Sequence, residues 1–121
     1  MSIMHYRDLL VWQKAMDLVV EIYRLISGFP KEEKYVLSDQ MRRAVISIPS
    51  NIAEGQARRS TKEFIHFLSI AKGSLAELET QIEISVRLSF LTRSDTKIAT
   101  AHIEEIRKML SSLLNNLSTP H

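Results

Sequence analysis

Between residues 42 and 62 the chain carries Arg42, Arg43, Arg58, Arg59 and Lys62 against Glu54 alone. Arginine presents a planar fork of donors that grips phosphate oxygens, so such a run suits a nucleic-acid backbone. On one continuous helix Arg43 and Arg58 would lie about 60° apart around the axis and about 22 Å apart along it. Arg58, Arg59 and Lys62 fall where one segment turns into the next, and the amides of a helix start also attract anions. The competing reading is an ordinary solvated face, with Arg58 paired to Glu54 four residues earlier. In a symmetric ring each patch recurs, and a weak patch becomes a multivalent surface.

Other chemistry is sparse. The sequence has no Gly-x-Ser-x-Gly elbow, no Gly-x-Gly-x-x-Gly and no phosphate-cradling Gly-Lys-Ser/Thr loop. Glu63-Phe-Ile-His66 matches once the Glu-x-x-His pattern that helical di-metal proteins use twice. His102 and Glu105 have ligand-compatible spacing in reverse order. Without a second copy of the motif, and with Glu63 engaged in capping, no metal or other cofactor is expected. Glu77, Glu79 and Glu83 could pair carboxylates for acid/base work, but a solvated face is the simpler reading. Trp12, Phe64 and Phe67 occupy core-type positions and make poor base-stacking platforms. No catalytic residue emerges, and a non-enzyme is expected.

These residues must be positioned by helices, because a period of 3.6 dominates the hydrophobic pattern. Helices are predicted over about 7–27, 31–57, 61–90 and 93–117. In the first, Leu9, Trp12, Met16, Val19, Tyr23 and Ile26 form one seam. Val11, Ala15, Leu18, Ile22 and Leu25 form a second, roughly 120° away. A helix in a monomeric bundle needs one apolar stripe, so the second is assigned to self-association. A more deeply buried helix is the alternative. Gly28 is placed to cap this helix and Pro30 restarts the chain. Ser60-Thr-Lys-Glu63 and Thr92-Arg-Ser-Asp95 are capping boxes that open the third and fourth helices. Phe64, Leu68, Ala71, Leu75, Leu78 and Ile82 form the seam of the third. Ile103, Ile106, Leu110, Leu113 and Leu117 form that of the fourth, with Asn115 to Pro120 a fraying tail. Long helices and short connections predict an all-α, antiparallel up-down-up-down four-helix bundle, one domain over residues 1–121.

Pro49 tests this scheme. Met41, Val45, Ile48 and Ile52 fall within about 60° of one another, so the apolar side keeps its phase across the proline. One continuous, proline-kinked helix is the reading, with Ser47 and Ser50 available to bond around the gap. Two shorter helices broken at Ile48 are the alternative.

The totals agree with a single helical domain. Of 121 residues, 45% are hydrophobic and 25% charged, with three glycines and three prolines. The absence of cysteine excludes disulfides and thiolate metal sites and fits a reducing compartment. Asp8, Lys14 and Asp17 interrupt any secretory signal, and no apolar run is long enough to span a membrane. The cytoplasm is expected. A formal charge of +2 is a mild lean toward anionic partners.

Four strings, YRDLLVWQKAMDL, FPKEEKY, QMRRAVISIPSNIAEGQARRS and KEFIHFLSIAKGSLAELETQI, closely resemble the 23S rRNA intervening sequence protein family, also labelled S23 ribosomal proteins. The resemblance covers about residues 5–91. It departs at Val36, where members often have glycine. It implies antiparallel four-helix bundles assembled as homopentameric rings, whose genes lie within or outside large-subunit ribosomal RNA genes of bacteria. It also implies kinship with an accessory protein of diversity-generating retroelements, a basic pentamer that binds a reverse transcriptase and nucleic acid. No family motif assigns a role to Arg42, Arg43, Arg58, Arg59 or Lys62.

The expectation is therefore a ring-forming, homo-oligomeric nucleic-acid-binding protein. The alternative is an adaptor that docks a polymerase or RNA-processing partner.

Overall fold

A computed structural model describes residues 5–33 and 36–118. Four helices carry the fold: α1 (Leu10–Ile26), α2 (Leu37–Gln56), α3 (Thr61–Arg87) and α4 (Lys97–Ser118). Short 3-10 turns precede α1, α2 and α4, at Tyr6–Asp8, Lys31–Glu33 and Ser94–Thr96. The main packing partners of α1 are α2 and α4, and α3 packs against the same two. Paired contacts run in opposite directions along neighbours. Gly55 meets Phe67, Ser47 meets Ser74 and Met41 meets Ser85 between α2 and α3. The result is a four-helix bundle with one core.

The core explains which parts of the sequence become helix. Met41, Val45, Ile48 and Ile52 are all fully buried, and α2 runs unbroken through Pro49. The apolar phase wins over the missing hydrogen bond because each of those side chains gains burial only if the helix continues. Ser47 does not serve the proline gap. Its hydroxyl lies 2.8 Å from that of Ser74, tying α2 to α3, and accepts from Asn51 at 2.8 Å.

The helix bounds differ from the sequence reading at several ends: α1 begins at Leu10 rather than 7, α3 stops at Arg87 rather than 90, and α4 begins at Lys97 rather than 93. Helix α2 begins at Leu37, not at 31, and Leu37 is its first buried apolar residue. The preceding Lys31–Glu33 forms only a 3-10 turn and offers no apolar side chain to the core; Lys34 and Tyr35 lie outside the described residues. Helix α4 extends through Asn115 to Ser118 instead of fraying, with Leu113 and Leu117 packed against the core; Thr119 and Pro120 lie outside the described residues. At the end of α1, Gly28 has no positive φ. The chain leaves through tightened turns instead, with the Gly28 amide donating to Leu25 and the Phe29 amide to Ile26.

The two seams of α1 exchange roles. Val11, Ala15, Leu18, Ile22 and Leu25, assigned to a subunit interface, are the side of α1 turned into the bundle. Ala15, Leu18 and Ile22 have no exposed surface at all, so they cannot reach a second chain. The other seam is the one left partly open, with Trp12 and Val19 half-buried and Met16 and Tyr23 exposed. Spacing alone gives two equivalent seams; which one faces inward depends on how α2 and α4 flank the helix.

Candidate nucleic-acid interface

The turn between α2 and α3 delivers the basic cluster. Helix α2 ends at Gln56; the amide of the capping residue Ala57 donates to Ala53, and the Arg58 amide donates to Gly55. Ser60 then caps α3, its hydroxyl accepting from the Glu63 amide at 3.1 Å. Only four residues separate the helices, so Arg58 and Arg59 are fixed beside the first turn of α3, which carries Lys62. The amide ends of α3 add a partial positive charge there.

The three cations differ in freedom. Arg58 pairs with Glu54 at 3.5 Å and its guanidinium lies 4.9 Å from the Phe67 ring centroid. Its fork is thereby held in place, while its outer donors stay open to solvent. Arg59 and Lys62 are exposed and have no ion pair among the described residues. Glu63, also exposed, is the nearest acid on α3.

Arg42 and Arg43 do not join this cluster. They occupy the opposite half of α2, about 20 Å away along the axis. Arg42 pairs with Asp39 at 3.0 Å and lies 5.7 Å from the Tyr23 ring centroid. Arg43 is exposed along the α2–α3 groove beside Gln40, Glu77 and Gln81. The structure thus splits the five candidate cations into a group of three and a group of two, because about four turns of helix lie between Arg43 and Arg58.

The profile of the 23S rRNA-intervening sequence protein family matches residues 7–112. The chain belongs to this family. Its structure is similar to the crystal structure of a protein of unknown function from the S23 ribosomal protein family of Bacteroides thetaiotaomicron VPI-5482. The two share 29% identity and a TM-score of 0.78, over 87% of this chain and 98% of that one. No curated protein matches the chain. Among the described residues no helix is long and apolar enough to cross a membrane.

Of the three carboxylates singled out for acid/base work in this family member, Glu79 and Glu83 are tied up in ion pairs, while Glu77 is exposed with no ion pair among the described residues. Glu79 holds Arg107 of α4 at 2.6 Å. Glu83 accepts from Arg87 on its own helix at 3.0 Å and from Arg93 at 2.7 and 2.9 Å. Those hydrogen bonds, Arg93 first and then Arg87, pull the Glu83 carboxyl down to about 2. A carboxylate so stabilised remains ionised at neutral pH and is a poor proton shuttle. Glu105 is likewise engaged, with Lys14 at 3.0 Å. His66 is exposed beside Phe67, with ring centroids 5.3 Å apart, and His102 is half-buried on α4. Among the described residues no three histidine or acidic side chains converge on a common point.

Proposed function

We propose that this member of the family is a non-enzymatic, cytoplasmic, ring-forming homo-oligomer, a homopentamer by family resemblance. It binds RNA or DNA through the phosphate backbone and needs no cofactor. The observation that carries this reading is the cluster Arg58, Arg59 and Lys62 at a rigid interhelical turn, with Arg59 and Lys62 exposed and free of ion pairs among the described residues. Phosphates attract such cations without reading sequence, and ring symmetry repeats the cluster. Self-association is supported by the exposed seam of α1. Val20 is 70% exposed and Met16 and Tyr23 about 40%, with Ile46 of α2 exposed beside them.

The decisive experiment is a salt titration of binding to single- and double-stranded RNA and DNA by fluorescence anisotropy. Affinity should fall steeply with salt, and Arg58→Ala with Arg59→Ala should reduce the log–log slope by about 2 per engaged protomer. Failure to bind any of these nucleic acids at low salt removes the reading.

The alternative is an adaptor for a polymerase or RNA-processing partner. It draws support from a groove of about 560 Å³ between α3 and α4, floored by Ile82, Val86 and Ile103. Salt-insensitive binding to such an enzyme, with no binding to nucleic acid, would put this reading first.

A further inference from the structure

Helix α3 leaves the basic turn with a charge that changes along its length. From Lys62 to Ala76 its charged side chains are Lys62, Glu63 and Lys72, and the acids Glu77, Glu79 and Glu83 follow. Within the basic half lies one histidine. His66 is exposed and has no ion pair or hydrogen bond among the described residues. It follows Lys62 by four residues, so the two share a face, with Cβ atoms about 5–6 Å apart. Its ring meets that of Phe67, with centroids 5.3 Å apart, and Phe67 also carries the Arg58 guanidinium at 4.9 Å. Imidazole and guanidinium are therefore within about 10 Å of each other, a separation that ~0.1 M salt screens only in part. The charges around His66 are few. Its own helix supplies Lys62 and Glu63. Helix α2 and the turn supply Glu54, Arg58 and Arg59, with Glu54 paired to Arg58. The last turns of α4, from Met109 to Ser118, carry no charged side chain.

We propose, on the reading of Arg58, Arg59 and Lys62 as the nucleic-acid interface, that His66 is its fourth, proton-dependent cation. Backbone binding then takes up a proton and tightens as the pH falls. Imidazole is the side chain that ordinarily changes charge between about pH 5 and 8, whereas arginine, lysine and carboxylate keep theirs. In the free protein an imidazolium here meets Lys62 one turn away and Arg58 beside the shared ring. Glu63 is the acid near it that has no ion pair among the described residues. Like charges four residues apart on a helix repel, so the uncharged ring is favoured. A phosphate backbone laid over the cluster offsets that repulsion and attracts the imidazolium directly. Coupling of this kind is reciprocal: what phosphate does for protonation, protonation does for phosphate. The ring is exposed, so it reaches a phosphate without any movement of the helix.

The test is a salt titration by fluorescence anisotropy at about pH 5.5 and about pH 8, the range in which imidazole titrates. The probes are a rhodamine-labelled oligouridylate and a rhodamine-labelled DNA duplex. For the wild type the log–log slope should be steeper at the lower pH by about 0.7–0.9 per engaged protomer, the release of one more counterion. Affinity at ~0.1 M salt should rise about tenfold, as expected for one charge-assisted contact. His66→Gln should remove the difference between the two pH values, and His66→Lys should show the low-pH behaviour at both. Both variants lose the ring, so their contrast separates a charge from a packing role. His102→Gln, at the half-buried histidine of α4, should keep the wild-type response. Binding that does not depend on pH, or a pH response that His66→Gln leaves intact, would overturn the proposal while the interface reading stands. Absence of binding to both probes at both pH values would remove that reading and the proposal with it.

Discussion

Gly55 of α2 and Phe67 of α3 approach so closely that a Cβ on Gly55 would lie 2.8 Å from the Cβ of Phe67. The same atom would meet Phe64 Cδ1 at 3.0 Å and the Phe64 carbonyl oxygen at 3.3 Å. None of these obstacles is the far end of a flexible chain, so relief requires the helices to separate. Gly73, in the middle of α3, is the opposite case, with open space where its Cβ would be. Gly55→Ala is therefore expected to destabilise, with about 1–3 kcal/mol of overpacking outweighing about 1 kcal/mol of helix propensity. Gly73→Ala should stabilise by about 0.5–1 kcal/mol. Urea denaturation of both variants checks the pair; equal shifts of the same sign would refute the close approach as the limiting factor.

Ser89 closes α3 in the left-handed region, at φ 63°. The Phe90 amide donates to Ser85 at 2.9 Å and the Ser89 amide to Val86 at 3.0 Å, the two bonds of a Schellman ending. Glycine is the usual residue at that position, because a Cβ there crowds the backbone by about 1–2 kcal/mol. Ser89→Gly should raise stability by up to about 1 kcal/mol, the remainder being offset by glycine's greater unfolded freedom. A thermal melt that falls on substitution would show that the serine side chain supplies more than it costs.

That ending also shows where the sequence stops being readable. The seams of α3 and α4 and the phase of α2 across Pro49 follow from spacing alone, because burial rewards a fixed period. The Thr92–Asp95 box is equally local: the Thr92 amide donates to Asp95 at 2.9 Å and the Asp95 amide to the Thr92 hydroxyl at 3.1 Å. Helix α3 stops at Arg87 without the glycine that would have announced it. The α1 seams could not be ranked, since choosing the inner one requires the neighbouring helices. For the candidate interface, residue types located Arg58, Arg59 and Lys62. Helical spacing alone already sets Arg58 about 22 Å from Arg43; the fold adds the partners of Arg42, Asp39 and Tyr23, which come from two helices. The burial of Ser38, at 1% exposure, carries no sequence signal at all, because a serine in a first helical turn is ordinary.

Acid should expose the role of Glu83. Its carboxyl is lowered from 4.5 to about 2 by Arg93 and Arg87, so the folded state binds a proton there less readily than the unfolded state. The associated stability is fully present above about 4.5 and is lost as the pH falls through about 2. Glu83→Gln should thus be less stable than the wild type at neutral pH, with the gap closing toward pH 2. Because these groups are exposed, salt should shrink the gap as well. Denaturation midpoints across this range test it, and a gap that stays constant with pH would dismiss the ion pairs as its source.

The exchange of seams on α1 yields a sharper test of self-association than the spacing could. Ile22 has no exposed surface, so Ile22→Ala should lose about 2–5 kcal/mol of stability whatever the oligomeric state. Val20 and Met16 lie on the open face, at 70% and 39% exposure. A charge placed there meets water in a monomer and apolar side chains in an assembly. Met16→Glu with Val20→Glu should therefore leave the helical circular dichroism intact while shifting light scattering from oligomer to monomer. A wild type that is already monomeric at micromolar concentration would end the ring reading. An oligomer indifferent to both charges would move the interface to another face of the bundle, and the exposed Ile84, Leu88 and Ile98 would then be the next positions to charge.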